Sequence, residues 1–254
     1  MIIYDVLILI LGWIVGSFLN VVIYRLPEKK SIVYPASSCP FCHTSLRWWM
    51  NIPVLSWLML RGKCHYCSAP ISMQYPFVEL LTGLGTLGLW LYYGRHHMFF
   101  AVHVLLLWAF IALSIIDWNT QLLPDRITKP FIALGVLFSS IQHFHVPLGM
   151  PSMISSIIGA ILGGSFFWLI GYIYKKKTGV YGLGGGDVKL LALIGAWTGW
   201  TGVYFAIFIG SVVGVIIGVP YVLKTGNKYV PYGPFLCLGA FIYLLFSAQL
   251  IAWI

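Results

Sequence analysis

Two aspartates stand where a hydrophobic chain makes carboxylates costly. Asp117 ends the apolar run ALSII, and Asp187 follows the glycine-rich stretch GLGGG at 182–186. The chain has only 6 acidic residues in 254. Placing a carboxylate beside hydrocarbon costs free energy, so such a residue is expected to have a function. A carboxylate at a helix C-terminus is also disfavoured by the helix dipole. The pair indicates aspartyl proteolysis, in which one carboxylate activates water and the other carboxyl group protonates the departing amide nitrogen.

The glycines before Asp187 favour a functional turn. They allow close backbone approach at the membrane boundary, and we expect Gly184 and Gly186 to support the site. The stretch is not a phosphate-binding loop, because no Lys-Ser or Lys-Thr follows it. The structural alternative for Asp187 is N-capping of the helix that begins VKLLALIGAW.

Two further acids have stronger structural alternatives. Asp125 follows Pro124 and precedes an apolar segment, so it is predicted to cap that helix. Glu79 follows Pro76 in what we expect to be a first helical turn, where the helix dipole favours a negative charge. Both are predicted to be supporting residues.

Four cysteines form two C-x-x-C pairs, CPFC and CHYC. Two such pairs can surround one zinc ion tetrahedrally, and the spacing lies just beyond the usual 15–20 residues or so. His43 or His65 remains an alternative ligand, whereas haem attachment and disulfides are disfavoured in a cytoplasmic segment. The fifth cysteine, Cys237, is expected to be a buried apolar residue. The sequence therefore predicts a structural zinc site with these ligands: Cys39, Cys42, Cys64 and Cys67.

The composition excludes a soluble domain. The chain is 60% hydrophobic and 8% charged, against about 25% charged in soluble domains. Long uncharged runs predict an all-α polytopic membrane protein, with a retained first span and a small cytoplasmic zinc-ribbon-like insertion. The predicted division is a first span at 1–24, the tetracysteine segment at 25–75 and a seven-helix peptidase domain at 76–254. Eight transmembrane helices are predicted, at about 4–24, 76–94, 98–116, 129–148, 153–174, 187–200, 203–223 and 233–253.

The positive charges predict the orientation. With the N-terminus outside, Arg95 is the only one of the 15 Lys and Arg that does not fall in cytoplasmic segments. The net charge of +9 is therefore a topological signal, and the dispersed basic residues indicate a lipid bilayer rather than nucleic acid as the partner. Asp117, Asp125, Asp187 and Glu79 then share the cytoplasmic side.

The chain resembles the bacterial prepilin peptidases, a family of G-x-G-D aspartyl proteases. The matching stretches are GSFLNVVIYRLP (16–27), the cysteine segment 37–64, YPFVELL (75–81), SIIDWNTQLLPD (114–125), GLGGGDVKLLALIGAW (182–197) and PYGPFL (231–236). The resemblance implies that Asp117 and Asp187 are catalytic and that Asp125 is supporting.

The resemblance also implies the reaction. The substrate would be a prepilin or pseudopilin, whose short basic leader is cut off after a glycine on the cytoplasmic side of the bacterial cytoplasmic membrane. The tetracysteine segment accompanies members that also N-methylate the new terminus with S-adenosylmethionine. No glycine loop for that cofactor is visible, so its binding residues are unassigned.

Three alternatives remain open at the level of sequence. A peptidase without methylation is the nearest. A transporter or channel with a zinc-bound regulatory domain would need ionisable groups along the membrane depth, and His103 is nearly the only one there. A structural scaffold does not explain the acids. In a peptidase, Glu79 or Asp125 could contact a basic leader.

Overall fold

Helices make up nearly all of the regular structure. The computed structural model describes residues 2–94, 96–143, 149–179, 184–226 and 230–251, without the side chains of His143 and of 248–251. In these ranges, β-structure is limited to two isolated bridges, so the all-α prediction is confirmed. The helices are α1 Ile2–Arg25, a 3-10 turn Trp48–Asn51, α2 Leu55–Met59, α3 Gln74–Tyr93, α4 His97–Thr120, α5 Asp125–His143, α6 Met153–Thr178, α7 Gly185–Thr225 and α8 Gly233–Ile251.

The long helix α7 contains a break at Gly199. Its backbone there has φ 72° and ψ −176°, a conformation that is essentially restricted to glycine. The arms on either side of Gly199 correspond to the predicted spans at 187–200 and 203–223. The sequence therefore located the break to within a few residues, and the two arms are the two predicted helical segments, joined at Gly199.

The helices differ in how clearly their length and composition mark them as membrane spans. In the part of the chain that the structure describes, four helices are long and apolar enough to cross a membrane: α1, α4, α6 and α7. Helix α8 is a shorter apolar helix over Gly233–Ser247, and α5 begins with charged residues and contains Pro130. The predicted helices are thus present and the chain is a multi-pass membrane protein; in the described residues, four of the helices qualify as candidate spans by length and composition alone.

The chain divides into two compact units, residues 1–112 and 113–254. In the first unit, α1 and α3 approach each other through small residues. A Cβ atom on Gly12 would lie 2.7 Å from Cα of Gly83, and one on Gly16 would lie 2.7 Å from Cα of Glu79. Such contacts are typical of helices that associate in membranes, where close packing replaces the hydrophobic effect.

In the second unit, the first arm of α7 is held between two neighbouring helices. A Cβ atom on Gly159 of α6 would lie 2.5 Å from the Gly195 carbonyl oxygen. On the α5 side, Trp197 is 1% exposed, and its indole N–H donates to the Phe131 carbonyl at 2.7 Å. Because both neighbours fix this arm, they also fix the position of Asp187 in its first turn.

Candidate active site and metal centre

Asp117 lies in the last turn of α4 and is only 5% exposed. Its Oδ2 accepts a hydrogen bond of 2.9 Å from the backbone N–H of Gly233. A Cβ atom on Gly233 would lie 2.6 Å from that oxygen, so the contact requires glycine. The sequence prediction did not assign this role to Gly233, although the stretch PYGPFL that contains it was among the matching motifs.

Asp187 is the third residue of α7, and Gly184 occupies the N-cap position. The alternative role of Asp187 as the N-cap is therefore wrong. Asp187 lies near enough to Asp117 for the charge of Asp117 to act on it. The structure thus brings together, within the second unit, the two aspartates that were predicted to act as a pair.

The two glycines predicted to support the site make different contributions. Gly184 has extended backbone and begins α7. A Cβ atom on Gly186 would lie 3.1 Å from Cβ of Leu123, so Gly186 permits close packing of the loop that follows α4. Gly182 of the same stretch lies outside the described residues.

Asp125 is the first residue of α5. Its Oδ2 pairs with Nζ of Lys129 at 2.8 Å and its Oδ1 with Nζ of Lys189 at 2.5 Å. Hydrogen bonds from Lys129 and Lys189 hold the pKa of the Asp125 carboxyl group below its ordinary value. The Asp125 carboxylate therefore forms ion pairs with two lysines instead of capping α5 as predicted.

Glu79 lies one turn further into α3 than predicted, and it is 7% exposed. Its Oε2 accepts a hydrogen bond of 2.6 Å from the backbone N–H of Val54. This N–H belongs to the segment that carries the cysteines. The burial of the carboxylate against protein backbone favours a structural role over contact with a basic leader.

The four predicted cysteines form one cluster. Their sulfur atoms all lie within 4.8 Å of one another, and those of Cys39 and Cys67 are 3.8 Å apart. A tetrahedral zinc site with Zn–S bonds of about 2.3 Å has sulfur atoms roughly 3.8 Å apart. The donor set and its geometry therefore fit a zinc ion.

The two C-x-x-C turns share one backbone arrangement. In each, the N–H of the first cysteine donates to the carbonyl five residues later: Cys39 to Thr44 at 3.0 Å and Cys64 to Ala69 at 2.8 Å. Hydrogen bonds from Thr44 also lower the pKa of the Cys42 thiol to about 6. This favours the thiolate, which is the form that binds metals.

Two family models match the chain. The bacterial peptidase A24 N-terminal domain covers residues 10–93, and the type IV leader peptidase family covers residues 104–219. The chain belongs to the type IV leader peptidase family. Membership of this protease family confirms the resemblance found in the sequence and decides against the transporter and scaffold alternatives.

The similar curated proteins extend over nearly the whole chain. A protein of Neisseria gonorrhoeae is 38% identical over 270 residues, covering 96% of this chain and 90% of its own. A protein of Stutzerimonas stutzeri is 36% identical, with 96% and 91% covered. A protein of Aeromonas hydrophila is 36% identical, with 98% and 93% covered. All three are named prepilin leader peptidase/N-methyltransferase, and no solved structure matches the chain.

Proposed function

We propose that this member of the type IV leader peptidase family is a prepilin leader peptidase and N-methyltransferase. It cuts the short basic leader from type IV prepilins or pseudopilins after a glycine, and it methylates the new terminal amine. The observation that carries the proposal is that Asp117, buried at the end of α4, and Asp187, in the first turn of α7, lie near enough for their charges to interact, in a chain whose relatives bear that name over nearly their whole length.

Asp117 and Asp187 are the catalytic residues of the proposed cleavage. Two neighbouring carboxyl groups that share one proton divide the roles, so that one is the base and the other the acid. The base removes a proton from water, whose oxygen attacks the carbonyl carbon of the scissile bond. The acid gives its proton to the amide nitrogen, which then leaves. The Gly233 N–H holds Oδ2 of Asp117 in place while this occurs.

The proposed orientation puts the N-terminus outside and the active site at the cytoplasmic face of the bacterial cytoplasmic membrane. Three lysines in the last turn of α6 support this topology through the positive-inside rule. Arg95 and Lys228, which also entered the charge count, lie outside the described residues. The division into a first span at 1–24, a cysteine segment at 25–75 and a peptidase domain at 76–254 is part of the same proposal.

Two cofactors belong to the proposed function. A structural zinc ion bound by Cys39, Cys42, Cys64 and Cys67 would tie the two C-x-x-C turns together, in a segment too small to build a large core of its own. S-adenosylmethionine supplies the methyl group of the second reaction. No residue of this chain is assigned to its binding.

The decisive experiment is cleavage of a prepilin by the protein purified in detergent. The wild type should shorten the substrate by the length of its leader, and Asp117→Asn and Asp187→Asn should each abolish this. Asp5→Asn is a matched control, because an asparagine oxygen can still accept the indole N–H of Trp90, now 3.0 Å from Asp5. Normal cleavage by either variant of the pair would refute the catalytic assignment.

A further inference from the structure

A charge pair joins the beginning of α5 to the first turn of α7, directly beside Asp187. Nζ of Lys189 lies 2.5 Å from Oδ1 of Asp125, which precedes it by 64 residues. The two side chains are 41% and 43% exposed. The pair therefore connects two separate helices, and its lysine is two positions after the catalytic Asp187.

A second contact lies on the other side of Asp187. The residue before it, Gly186, packs against Leu123, which is 8% exposed. Leu123 belongs to the loop 121–124, which connects the end of α4 to Asp125. This connection, which follows the helix that carries Asp117, and the first residue of α5 thus contact the chain on both sides of Asp187.

We propose that the Asp125–Lys189 ion pair is a clamp that positions Asp187 against Asp117. Glycine gives the backbone before Asp187 wide conformational freedom, and the clamp removes that freedom by tying the beginning of α7 to the beginning of α5. Asp125 and Lys189 are positioning residues, since they act through Asp187 and do not contact the reacting atoms. This inference rests on the proposed function of the Asp117–Asp187 pair.

Lys129 provides an internal control. It contacts the other oxygen of the same Asp125 carboxylate at 2.8 Å, and its side chain is 67% exposed. Lys129 and Asp125 are four residues apart on one helix, so their pair joins no separate elements. Exposed pairs of this type contribute little to stability. Replacing Lys129 therefore removes one positive charge beside the Asp125 carboxylate and leaves the ion pair between Asp125 and Lys189 in place.

The first experiment measures kcat and KM for prepilin cleavage. Lys189→Gln should lower kcat by about ten- to a hundredfold, the effect of a small misplacement of a catalytic group, and should leave KM nearly unchanged. Lys129→Gln should leave both constants unchanged, and Lys189→Arg should retain most of the activity. Wild-type kcat in Lys189→Gln would overturn the proposal.

A charge exchange separates a clamp from a direct electrostatic effect of Lys189 on Asp187. In a Lys129→Gln background, Asp125→Lys and Lys189→Asp should each be strongly impaired, and the two together should recover most of kcat. If Lys189 acted only through its positive charge on Asp187, the exchange would place a carboxylate there and would remain inactive. Failure of the exchange to recover kcat, with folded protein, would overturn the clamp.

Amide hydrogen exchange tests the clamp independently of activity. Loss of the ion pair should accelerate exchange across residues 184–190, because local opening of this turn becomes easier. Exchange in α6 should stay unchanged, which also shows that the variant is folded. Unchanged exchange at 184–190 in Lys189→Gln would refute the clamp, whereas a wild type that fails to cut prepilin would refute the proposed function.

Discussion

Gly233 contributes to the active site through its backbone. Its N–H bonds Oδ2 of Asp117, and the absence of a side chain lets α8 begin in contact with that carboxylate. A backbone donor has fewer alternative orientations than a side-chain donor, so it holds the aspartate more rigidly. Gly233 can therefore orient the Asp117 carboxylate because it has a backbone N–H to donate and no side chain to block the contact.

Replacement of Gly233 by alanine should be severe. The added Cβ atom would lie 2.6 Å from Oδ2 of Asp117, so the carboxylate must move, and kcat should fall by about ten- to a hundredfold. Gly88→Ala is the matched control, because its Cβ would have no neighbour within 4 Å. Cleavage of a prepilin measures both, and full activity of Gly233→Ala would contradict the assignment.

Glu79 should affect stability rather than cleavage. Glu79→Gln keeps an oxygen for the Val54 N–H and should process prepilin normally. Glu79→Ala leaves that buried N–H without its partner and should lower the free energy of unfolding by about 1–3 kcal/mol. Denaturant unfolding in detergent measures the difference. Loss of cleavage in a normally stable Glu79→Gln protein would instead indicate that the carboxylate binds the leader.

At the scale of helices, Gly199 determines the shape of α7. The break lets a first arm carry Asp187 between α5 and α6, while a second arm continues from the same helix. A straight helix rises by about 1.5 Å per residue along one axis, so without the break the two arms would have to point in the same direction. The break is thus part of what positions the active site.

Gly199→Ala should destabilise the second unit. At φ 72° an L side chain is strained, and its Cβ would also press against Oγ of Ser155. Strain of this kind costs of order 1–3 kcal/mol. The control is Gly164→Ala, whose Cβ would lie at an ordinary 3.5 Å from Cβ of Ala192. Thermal unfolding followed by circular dichroism compares them, and equal stability of the two variants would show that the break is not under strain.

Hydropathy predicted the helices because apolar runs and glycines mark their length and ends, and it located the break in α7 to within a few residues. The contacts of Asp117 with Gly233 and of Asp125 with Lys189 were not predictable in the same way. They join residues that are far apart in the chain, and they depend on how the helices pack. Helices such as α1 and α4 are apolar on all sides, so their sequence does not indicate which face meets which neighbour.

At the scale of the whole molecule, the two predicted sites belong to different compact units. The four cysteines lie in residues 1–112, and both aspartates of the proposed catalytic pair lie in residues 113–254. The cysteine pattern alone was sufficient to predict that the four sulfur atoms lie together, because each C-x-x-C turn sets its two sulfur positions locally. Prediction of the aspartate pair required a further argument, namely that carboxylates beside hydrocarbon are energetically costly and are therefore expected to be functional.

The purified protein should contain one zinc ion per chain. Cys39→Ser together with Cys64→Ser should lose the metal, and the segment 26–73 should become more sensitive to limited proteolysis, because metal binding and folding are coupled in small metal-bound segments. Cys237→Ser is the control and should keep the zinc, since Cys237 is buried in α8, outside the cluster. Elemental analysis measures the metal. Full zinc content in the double variant would exclude the cluster as its site.

The bond from Gly233 to Asp117 also has a consequence for biosynthesis. Gly233 follows Asp117 by 116 residues, so a growing chain contains Asp117 and Asp187 well before it contains the N–H that bonds one of them. The orientation of Asp117 is therefore completed only after the start of α8 has been made and has packed against the end of α4. We expect the proposed active site to mature late in synthesis for this reason.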